Sequence, residues 1–379
     1  MAPSLKGKQK PSPQTADKTK NASSSTAMRI LLTGVSGFAG AALLPRLLEQ
    51  GHDVRALARD RTRVQRALER SGEATLADIE LVIGDTLTGT GVLGAMRDVE
   101  VAYYLIHSME PSSGGVGGIS FPAREQASAE TFAQAARAAR VRRIVYLGGL
   151  LPREGDTSTG ASGRASAGAS GGASTGASGR ASAGASGQAR TSTHLSSRHA
   201  VERILLDAVP DSVALRASIV IGARSRSFRF LVRLVERMPV LALPAWRRFR
   251  TQPIDERDIV ELLASCASVA SVGGRSLDVG GPDVLTYGQM MERIAELMLI
   301  ARPSLGLGVT LTPIAARLAA VLAGERPELI LPLMEGLTCD LLPAEDDAPN
   351  LLNVELHSFD SAVEHALGEW EKVEELAAR

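Results

Sequence analysis

Short apolar runs alternate with segments of helical periodicity from Arg29 onward. Such runs predict buried strands, and segments with apolar residues at every third or fourth position predict helices. The predicted strands are Arg29–Thr33, Asp53–Ala58, Ile79–Ile83, Val99–Ile106, Arg143–Leu147 and Ser212–Arg216. The predicted helices are Ala39–Glu49, Thr62–Arg70, Gly91–Met96, Arg124–Ala139 and Ser196–Ala208. This alternation indicates an α/β fold with a doubly wound parallel sheet.

Three parts of the chain differ from this pattern. Residues 1–27 are rich in Lys, Ser, Thr and Pro and are expected to form a disordered tail. Residues 152–191 are expected to form a low-complexity inserted loop, because they lack the bulky apolar residues that would offset the entropy cost of ordering. Residues 225–379 carry shorter amphipathic segments, which predict a small C-terminal substrate lobe interleaved with the end of the sheet of residues 28–224.

Composition narrows the classes of partner. The 42 basic and 42 acidic residues cancel, so no net field favours nucleic acid or an anionic membrane. Cys266 and Cys339 form no CxxC pair, and the histidines show no metal-binding spacing, so we expect no metal site and a reducing, cytoplasmic compartment. The chain contains no uninterrupted apolar run of about 18 residues, so no transmembrane segment is predicted. A small-molecule substrate is therefore the expected partner.

The strongest motif is TGVSGFAG, which begins at Thr33 directly after the first predicted strand and opens the first predicted helix. Gly34 permits a tight turn, Gly37 lets backbone amides approach a pyrophosphate, and Gly40 allows the helix to pack closely on the strand. Ser36 and Phe38 are further candidate contacts in this loop. The context predicts a Rossmann-type domain that binds a nicotinamide dinucleotide. The GTGVLG run at Gly89 lacks this context and is interpreted as a loop with a helix start.

The end of the second predicted strand bears on cofactor choice. An acidic side chain near this position would bind the ribose 2′-hydroxyl of NAD, but the chain has Ala58 and then Arg59. A guanidinium suits a 2′-phosphate, so NADP(H) is preferred and NAD(H) remains possible; a solvated arginine is the other interpretation of Arg59. Asp85, after the third predicted strand, either contacts the adenine or caps the next helix.

Several motifs together resemble one family. TGVSGFAG, the Gly84-Asp85 pair, YYLIHSM from Tyr103, VRRIVYLGGL from Val141 and LDVGGPDVLTYGQMM from Leu277 are similar to the extended and atypical short-chain dehydrogenase/reductases. The nearest relatives implied are bacterial NAD(P)H-binding proteins called nucleoside-diphosphate-sugar epimerases. The resemblance implies a Rossmann fold and an oxidoreductase or epimerase-like activity.

The family's catalytic residues are not matched. Active members use a Ser after the fifth strand and a Tyr-x-x-x-Lys on the next helix, whereas this chain has Gly148-Gly149 and His194-Leu195-Ser196-Ser197-Arg198. Two interpretations stay open. His194 is the general acid while Arg198 holds the ribose or a phosphate, or the protein binds NADP(H) without turnover. Binding without turnover is the behaviour of the NmrA-like redox sensors and of the Rossmann-type accessory subunit of respiratory complex I, which this branch of the family resembles.

Three more positions are candidate cofactor contacts. Leu105 and His107 lie at the end of the fourth predicted strand, and Gly148 follows the fifth. The carboxyl ends of parallel strands line the binding crevice, so these positions are expected there whatever their side chains. The basic run Arg247, Arg248 and Arg250 either receives an anionic substrate or is a solvated surface cluster.

Overall fold

The computed structural model describes residues 27–106, 120–152, 193–306, 339–345, 347–374 and 376, with the backbone alone for residues 193 and 194. Nearly all of the predicted tail (1–27) and of the predicted low-complexity loop (152–191) lies outside the described residues. His107 lies outside them as well.

A seven-stranded sheet forms the centre of the fold, with the strand order β11-β6-β5-β4-β1-β2-β3 and every neighbouring pair parallel. The strands, including the short ones outside this sheet, are β1 (Arg29–Thr33), β2 (Asp53–Ala58), β3 (Glu80–Ile83), β4 (Val101–Tyr104), β5 (Arg143–Gly149), β6 (Val213–Ala217), β7 (Val220–Ile221), β8 (Leu241–Leu243), β9 (Arg250–Thr251), β10 (Ile254–Asp255), β11 (Arg275–Val279), β12 (Leu285–Thr286) and β13 (Ser304–Gly306). The order reverses direction at β1, which lies between β2 and β4. In sheets of this type, the crevice at such a switch point binds the ligand.

Helices cover both faces of the sheet. They are α1 (Phe38–Glu49), α2 (Arg61–Ser71), α3 (Val92–Ala95), α4 (Phe121–Ala138), α5 (Thr193–Ala208), α6 (Arg226–Arg237), α7 (Glu256–Cys266), α8 (Tyr287–Leu297), α9 (Ala348–Leu352) and α10 (Phe359–Glu371). Alternate residues of β1 point to opposite layers: Ile30 and Leu32 pack with α1 and α7, whereas Leu31 packs with α4 and α5. Strands buried on both faces explain the continuous apolar runs in the sequence.

Several predicted bounds agree with the structure, and the differences have local causes. β1 and β2 have the predicted bounds. The fourth strand is shorter than the predicted Val99–Ile106, because the Leu105 amide donates to the Thr33 side chain instead of to a neighbouring strand. The fifth continues past Leu147 to Gly149, since β6 runs beside it as far as Ala217.

The seventh strand corrects the sequence prediction of six. β11 lies within the residues expected to form the substrate lobe and pairs with β6 at the edge of the central sheet. Its sequence, RSLDV, buries only Leu277 and Val279. Such a short alternation is a weaker strand signal than the continuous apolar runs of the inner strands.

A buried arginine joins β5 to the segment that leads into β11. The Arg143 side chain is 1% exposed and pairs with Asp211 at 2.9 Å. Its guanidinium also donates to the carbonyl oxygens of Cys266, at 2.6 Å, and Val269, at 2.7 Å. The hydrogen bonds satisfy a charge that would otherwise be costly to bury.

A second core lies beyond the sheet and joins α6, α8 and α10. Phe228, Trp246, Tyr287, Met290 and Trp370 are among its buried residues. The helices α6 and α8 lie among the amphipathic segments that the sequence predicts within residues 225–379. Within the described residues, no helix is both long and apolar enough to cross a membrane.

Candidate cofactor-binding site

The turn after β1 is shaped by its glycines. Gly34 has a φ of +72°, and a Cβ at this position would collide with the carbonyl oxygen of Leu105 at the end of β4. A Cβ at Gly40 would collide with the carbonyl oxygen of Gly34, so α1 can begin directly beneath the turn only with glycine there. The Gly37 amide closes the turn by donating to the Gly34 oxygen at 2.7 Å. These positions require glycine for physical reasons.

The first turn of α1 is suited to an anion. The N-cap residue is Gly37, which has no side chain to accept a hydrogen bond from the helix amides. Gly37 is exposed, and Ser36 and Phe38 beside it are partly buried. Uncapped amides and the positive end of the helix dipole form the arrangement that holds the phosphates of dinucleotides. The turn and helix start at residues 34–40, which we call the glycine cradle, therefore fit a dinucleotide pyrophosphate.

Thr33 fixes this cradle to the neighbouring strand. Its fully buried hydroxyl donates to the Tyr103 carbonyl oxygen at 2.8 Å and accepts from the Leu105 amide at 3.1 Å. One side chain thus joins the ends of β1 and β4 at the switch point. Sequence reasoning included Thr33 in the motif but gave it no role, because the contact depends on how the strands pair.

The region around Arg59 lies at the other side of β1. Arg59 directly follows β2 and is exposed, and its side chain makes no hydrogen bond or ion pair within the described part of the chain. The next residue, Asp60, caps α2 by accepting from the Thr62 amide at 2.8 Å. The acidic side chain nearest to Arg59 in sequence is therefore engaged in helix capping, and Arg59 is available to an incoming group.

Asp85 lies in the turn after β3. Its carboxylate accepts from the Leu87 amide at 2.8 Å, whereas the N-cap residue of α3 is Gly91. Asp85 therefore does not cap the next helix, which was one of the two interpretations of this residue. Gly89 and Gly91 have positive φ values in the turn that precedes α3, so the GTGVLG run is a loop and helix start, as predicted.

The strand end at Gly148 and Gly149 lies against the start of α5. A Cβ at Gly148 would lie 3.0 Å from the Tyr146 ring, and a Cβ at Gly149 would lie 3.4 Å from Leu195. This strand end has no hydroxyl of its own. Residue 194 belongs to the first turn of α5, but the His194 side chain lies outside the described residues.

Arg198 lies one turn further along α5, among buried polar groups. Burial raises the pKa of Tyr146 to about 12 and raises that of Tyr104 still further, and the positive charge of Arg198 opposes both shifts. The Tyr146 hydroxyl donates to the Arg198 carbonyl oxygen at 3.3 Å. The Arg198 guanidinium is therefore close enough to influence the ends of β4 and β5.

Glu256 is the first residue of α7 and lies beside Gly222, which directly follows β7. Its carboxyl fills the space that a side chain at Gly222 would need. Burial raises the pKa of Glu256 to about 7, while the charge of Arg224 acts in the opposite direction. A carboxyl in this environment changes its charge near neutral pH.

The basic run is partly neutralised. Arg250 pairs with Asp340 at 2.7 Å, and the Arg248 guanidinium lies 5.4 Å from the centre of the Phe249 ring. Arg247 is exposed. The charge of Arg250 is therefore partly offset by Asp340.

Comparison with known proteins supports the ligand class indicated by the glycine cradle. Residues 34–168 match the model of a family described as NAD(P)H-binding. This segment belongs to an NAD(P)H-binding domain. Comparison with curated proteins gave no significant match.

Solved structures share a fold that extends over about nine tenths of this chain. UDP-glucuronic acid 4-epimerase from Bacillus cereus, in complex with UDP-glucuronic acid and NAD, is 14% identical, with coverage of 92% of this chain and 100% of that chain and a TM-score of 0.62. A nucleoside-diphosphate-sugar epimerase from Staphylococcus aureus is 13% identical, with coverage of 89% and 100% and a TM-score of 0.63. The terminal R domain from the myxalamid PKS-NRPS biosynthetic pathway is 17% identical, with coverage of 93% of each chain and a TM-score of 0.65. The chain thus shares the Rossmann-type α/β fold of these structures, as the sequence motifs implied.

Proposed function

We propose that this protein binds NADP(H) across the carboxyl edge of its sheet and acts as an oxidoreductase or epimerase-like enzyme on a small molecule. The observation that carries the proposal is the glycine cradle, where a Cβ at Gly34 or Gly40 would collide with backbone. A turn this tight beside the free amides of a helix N-terminus allows a phosphate group to approach the backbone closely. The NAD(P)H-binding match over residues 34–168 supports the same cofactor class.

Arg59 supports NADP(H) over NAD(H). It is exposed at the end of β2 and has no partner within the described residues, while Asp60 is engaged as the cap of α2. A guanidinium binds a 2′-phosphate through two charge-assisted hydrogen bonds, which the 2′-hydroxyl of NAD cannot match. In the same proposal Ser36, Phe38 and Asp85 contact the cofactor from the loops, and Leu105, His107 and Gly148 contact it from the strand ends.

The decisive experiment is a fluorescence titration of the purified protein with NADPH and NADH, repeated on Arg59→Ala. We expect Arg59→Ala to weaken NADPH binding by about 10- to 100-fold, because a hydrogen-bonded charge contributes about 1.5–3 kcal/mol. NADH binding should change little. Arg70→Ala, in the last turn of α2, is the control and should bind both dinucleotides as the wild type does.

The outcomes separate the parts of the proposal. If NADPH and NADH bind equally well and Arg59→Ala weakens neither, the preference for NADP(H) is wrong and the domain is a general dinucleotide binder. If neither dinucleotide binds the wild type, the proposed cofactor itself is wrong.

For turnover, we propose His194 as the group that moves a proton and Arg198 as the group that holds the ribose or a phosphate. Positions 194 and 198 are four residues apart on α5 and thus share one helix face. A bound nicotinamide would supply the hydride, and the imidazole would supply a proton near neutral pH. His194→Ala should abolish reduction of carbonyl substrates and leave NADPH affinity unchanged.

Binding without turnover is the second candidate, and Gly148 with Gly149 favours it. The strand end at which active relatives present a catalytic Ser has no hydroxyl here, and its neighbours are Tyr146 and Leu195. In that case the protein is an NADP(H)-binding redox sensor or an accessory subunit. Purified protein that binds NADPH but oxidises it with no member of a panel of aldehydes, ketones and nucleotide sugars would support this candidate. A cytoplasmic location is part of both proposals, in keeping with the free thiols of Cys266 and Cys339.

A further inference from the structure

A group of polar side chains lies between α4 and α5, where these helices meet the ends of β4 and β5. We call it the α4–α5 cluster, and it consists of Tyr104, Glu125, Tyr146, Ser197 and Arg198. Sequence reasoning considered only Arg198 among these. The other four come from separate parts of the chain, and only the fold brings them together.

Two hydrogen bonds tie the second turn of α5 to its neighbours. The Ser197 hydroxyl, which is 3% exposed, donates to Glu125 Oε2 at 2.7 Å. The Tyr146 hydroxyl donates to the Arg198 carbonyl oxygen at 3.3 Å. The turn of α5 that carries Arg198 is thus fixed to α4 on one side and to β5 on the other.

The charges of the cluster are balanced within it. Burial raises the pKa of the Glu125 carboxyl, and the Ser197 hydroxyl and the charges of Arg198 and Arg124 lower it. Glu125 in turn acts on Tyr104 and Tyr146, whose pKa values are raised mainly by their own burial. The groups that face Glu125 are therefore Ser197 and Arg198 on α5, Arg124 on its own helix, Tyr104 on β4 and Tyr146 on β5.

The position of the cluster indicates a role beyond helix packing. Further from the crevice, the same two helices pack through apolar side chains, among them Ala129, Phe132, Val201 and Leu205. A carboxyl in a helix interface costs more free energy than such apolar contacts. The carboxyl lies only at the end of the interface that meets Gly148 and Gly149, close to the first turn of α5.

We propose that Glu125 is a positioning residue for the nicotinamide end of the crevice, acting through the Ser197 hydroxyl and the charge of Arg198. It holds the second turn of α5, which carries Arg198, against α4 and the end of β5. This role rests on the proposed function, because it presumes that the nicotinamide half of NADP(H) lies beside this strand end. Glu125 itself touches neither cofactor nor substrate.

The test compares two ligands that differ in the half of the crevice they occupy. NADP+ spans both halves, whereas 2′,5′-ADP carries only the adenosine half with its 2′-phosphate. Affinities of both are measured by isothermal titration calorimetry between pH 5.5 and 8 for the wild type, Glu125→Gln and Ser197→Ala. Glu130→Gln, at an exposed position of α4, is the matched control.

In the wild type, we expect the ratio of NADP+ affinity to 2′,5′-ADP affinity to fall as the pH is lowered and Glu125 takes up a proton. In Glu125→Gln this ratio should be about three- to tenfold lower at pH 8. The ratio should also fall less steeply with pH than in the wild type, because only His194 then titrates at this end of the crevice. Ser197→Ala should lower the ratio and keep its pH dependence. Glu130→Gln should behave as the wild type.

Other results overturn the inference. If Glu125→Gln weakens both ligands equally and also lowers the melting temperature, Glu125 serves helix packing alone. If Glu125→Gln keeps the wild-type ratio and its pH dependence, Glu125 has no positioning role although the proposed function stands. If neither ligand binds the wild type, the proposed function fails and this inference fails with it.

Discussion

The two ends of the crevice are built in different ways. At the proposed pyrophosphate end the backbone forms the site, and Gly34 and Gly40 lie where any side chain would collide with backbone atoms. At the proposed nicotinamide end, the side chains of the α4–α5 cluster lie beside the strand end at Gly149, where an added Cβ would make only an ordinary contact. A backbone site depends little on pH and tolerates almost no substitution. A site of buried carboxyls, tyrosines and arginine can change with pH and with sequence.

The largest effect that tests this comparison is expected for Gly34→Ala. The substitution puts a Cβ into the Leu105 carbonyl at a φ of +72°, so we expect a loss of about 3 kcal/mol or more in the free energy of unfolding, together with loss of NADPH binding. Gly51→Ala is the matched control, since its φ is +80° but nothing lies within 4 Å of the added Cβ. It should cost about 1 kcal/mol and leave binding unchanged. Chemical denaturation measures both, and equal costs would show that backbone crowding at Gly34 is unimportant.

A smaller effect on stability is expected from the titration of Glu256, beside Gly222. Folding raises the pKa of Glu256 from 4.5 to about 7, so the folded state binds the proton more tightly than the unfolded chain does. Stability is therefore highest below the unfolded pKa and falls as the pH rises towards 7, by about 3 kcal/mol in total. Glu256→Gln should remove this fall and be more stable than the wild type at pH 8. Denaturation midpoints at pH 5 and pH 8 check this, and an unchanged pH profile in the variant would contradict it.

The smallest effect is expected at Gly149. An added Cβ would lie 3.4 Å from Leu195, an ordinary contact, so Gly149→Ala should change stability by no more than about 0.5 kcal/mol. Melting curves and an NADPH titration are the measurements. A loss as large as that of Gly34→Ala would mean that both ends of the crevice are equally crowded, and the comparison would not hold.

The sequence predicted what depends on local pattern. The bounds of β1 and β2 and the glycine turn follow from apolar periodicity and from a motif whose residues are adjacent. The contacts of Thr33 and of Glu125 with Ser197 could not be predicted, because they join residues about 70 positions apart that only the fold brings together. β11 was missed for a related reason, since an edge strand with two buried residues carries little pattern of its own.

The position of β11 late in the chain affects how the protein folds while it is being synthesised on the ribosome. β6 keeps an open edge until residues 275–279 have been synthesised, and Arg143 lacks two of its acceptors until Cys266 and Val269 arrive. An open strand edge and an unsatisfied interior charge both favour aggregation of a nascent chain. A gene fragment that stops at residue 224 would therefore yield insoluble protein, and the NAD(P)H-binding half has to be expressed together with the C-terminal part that completes its sheet.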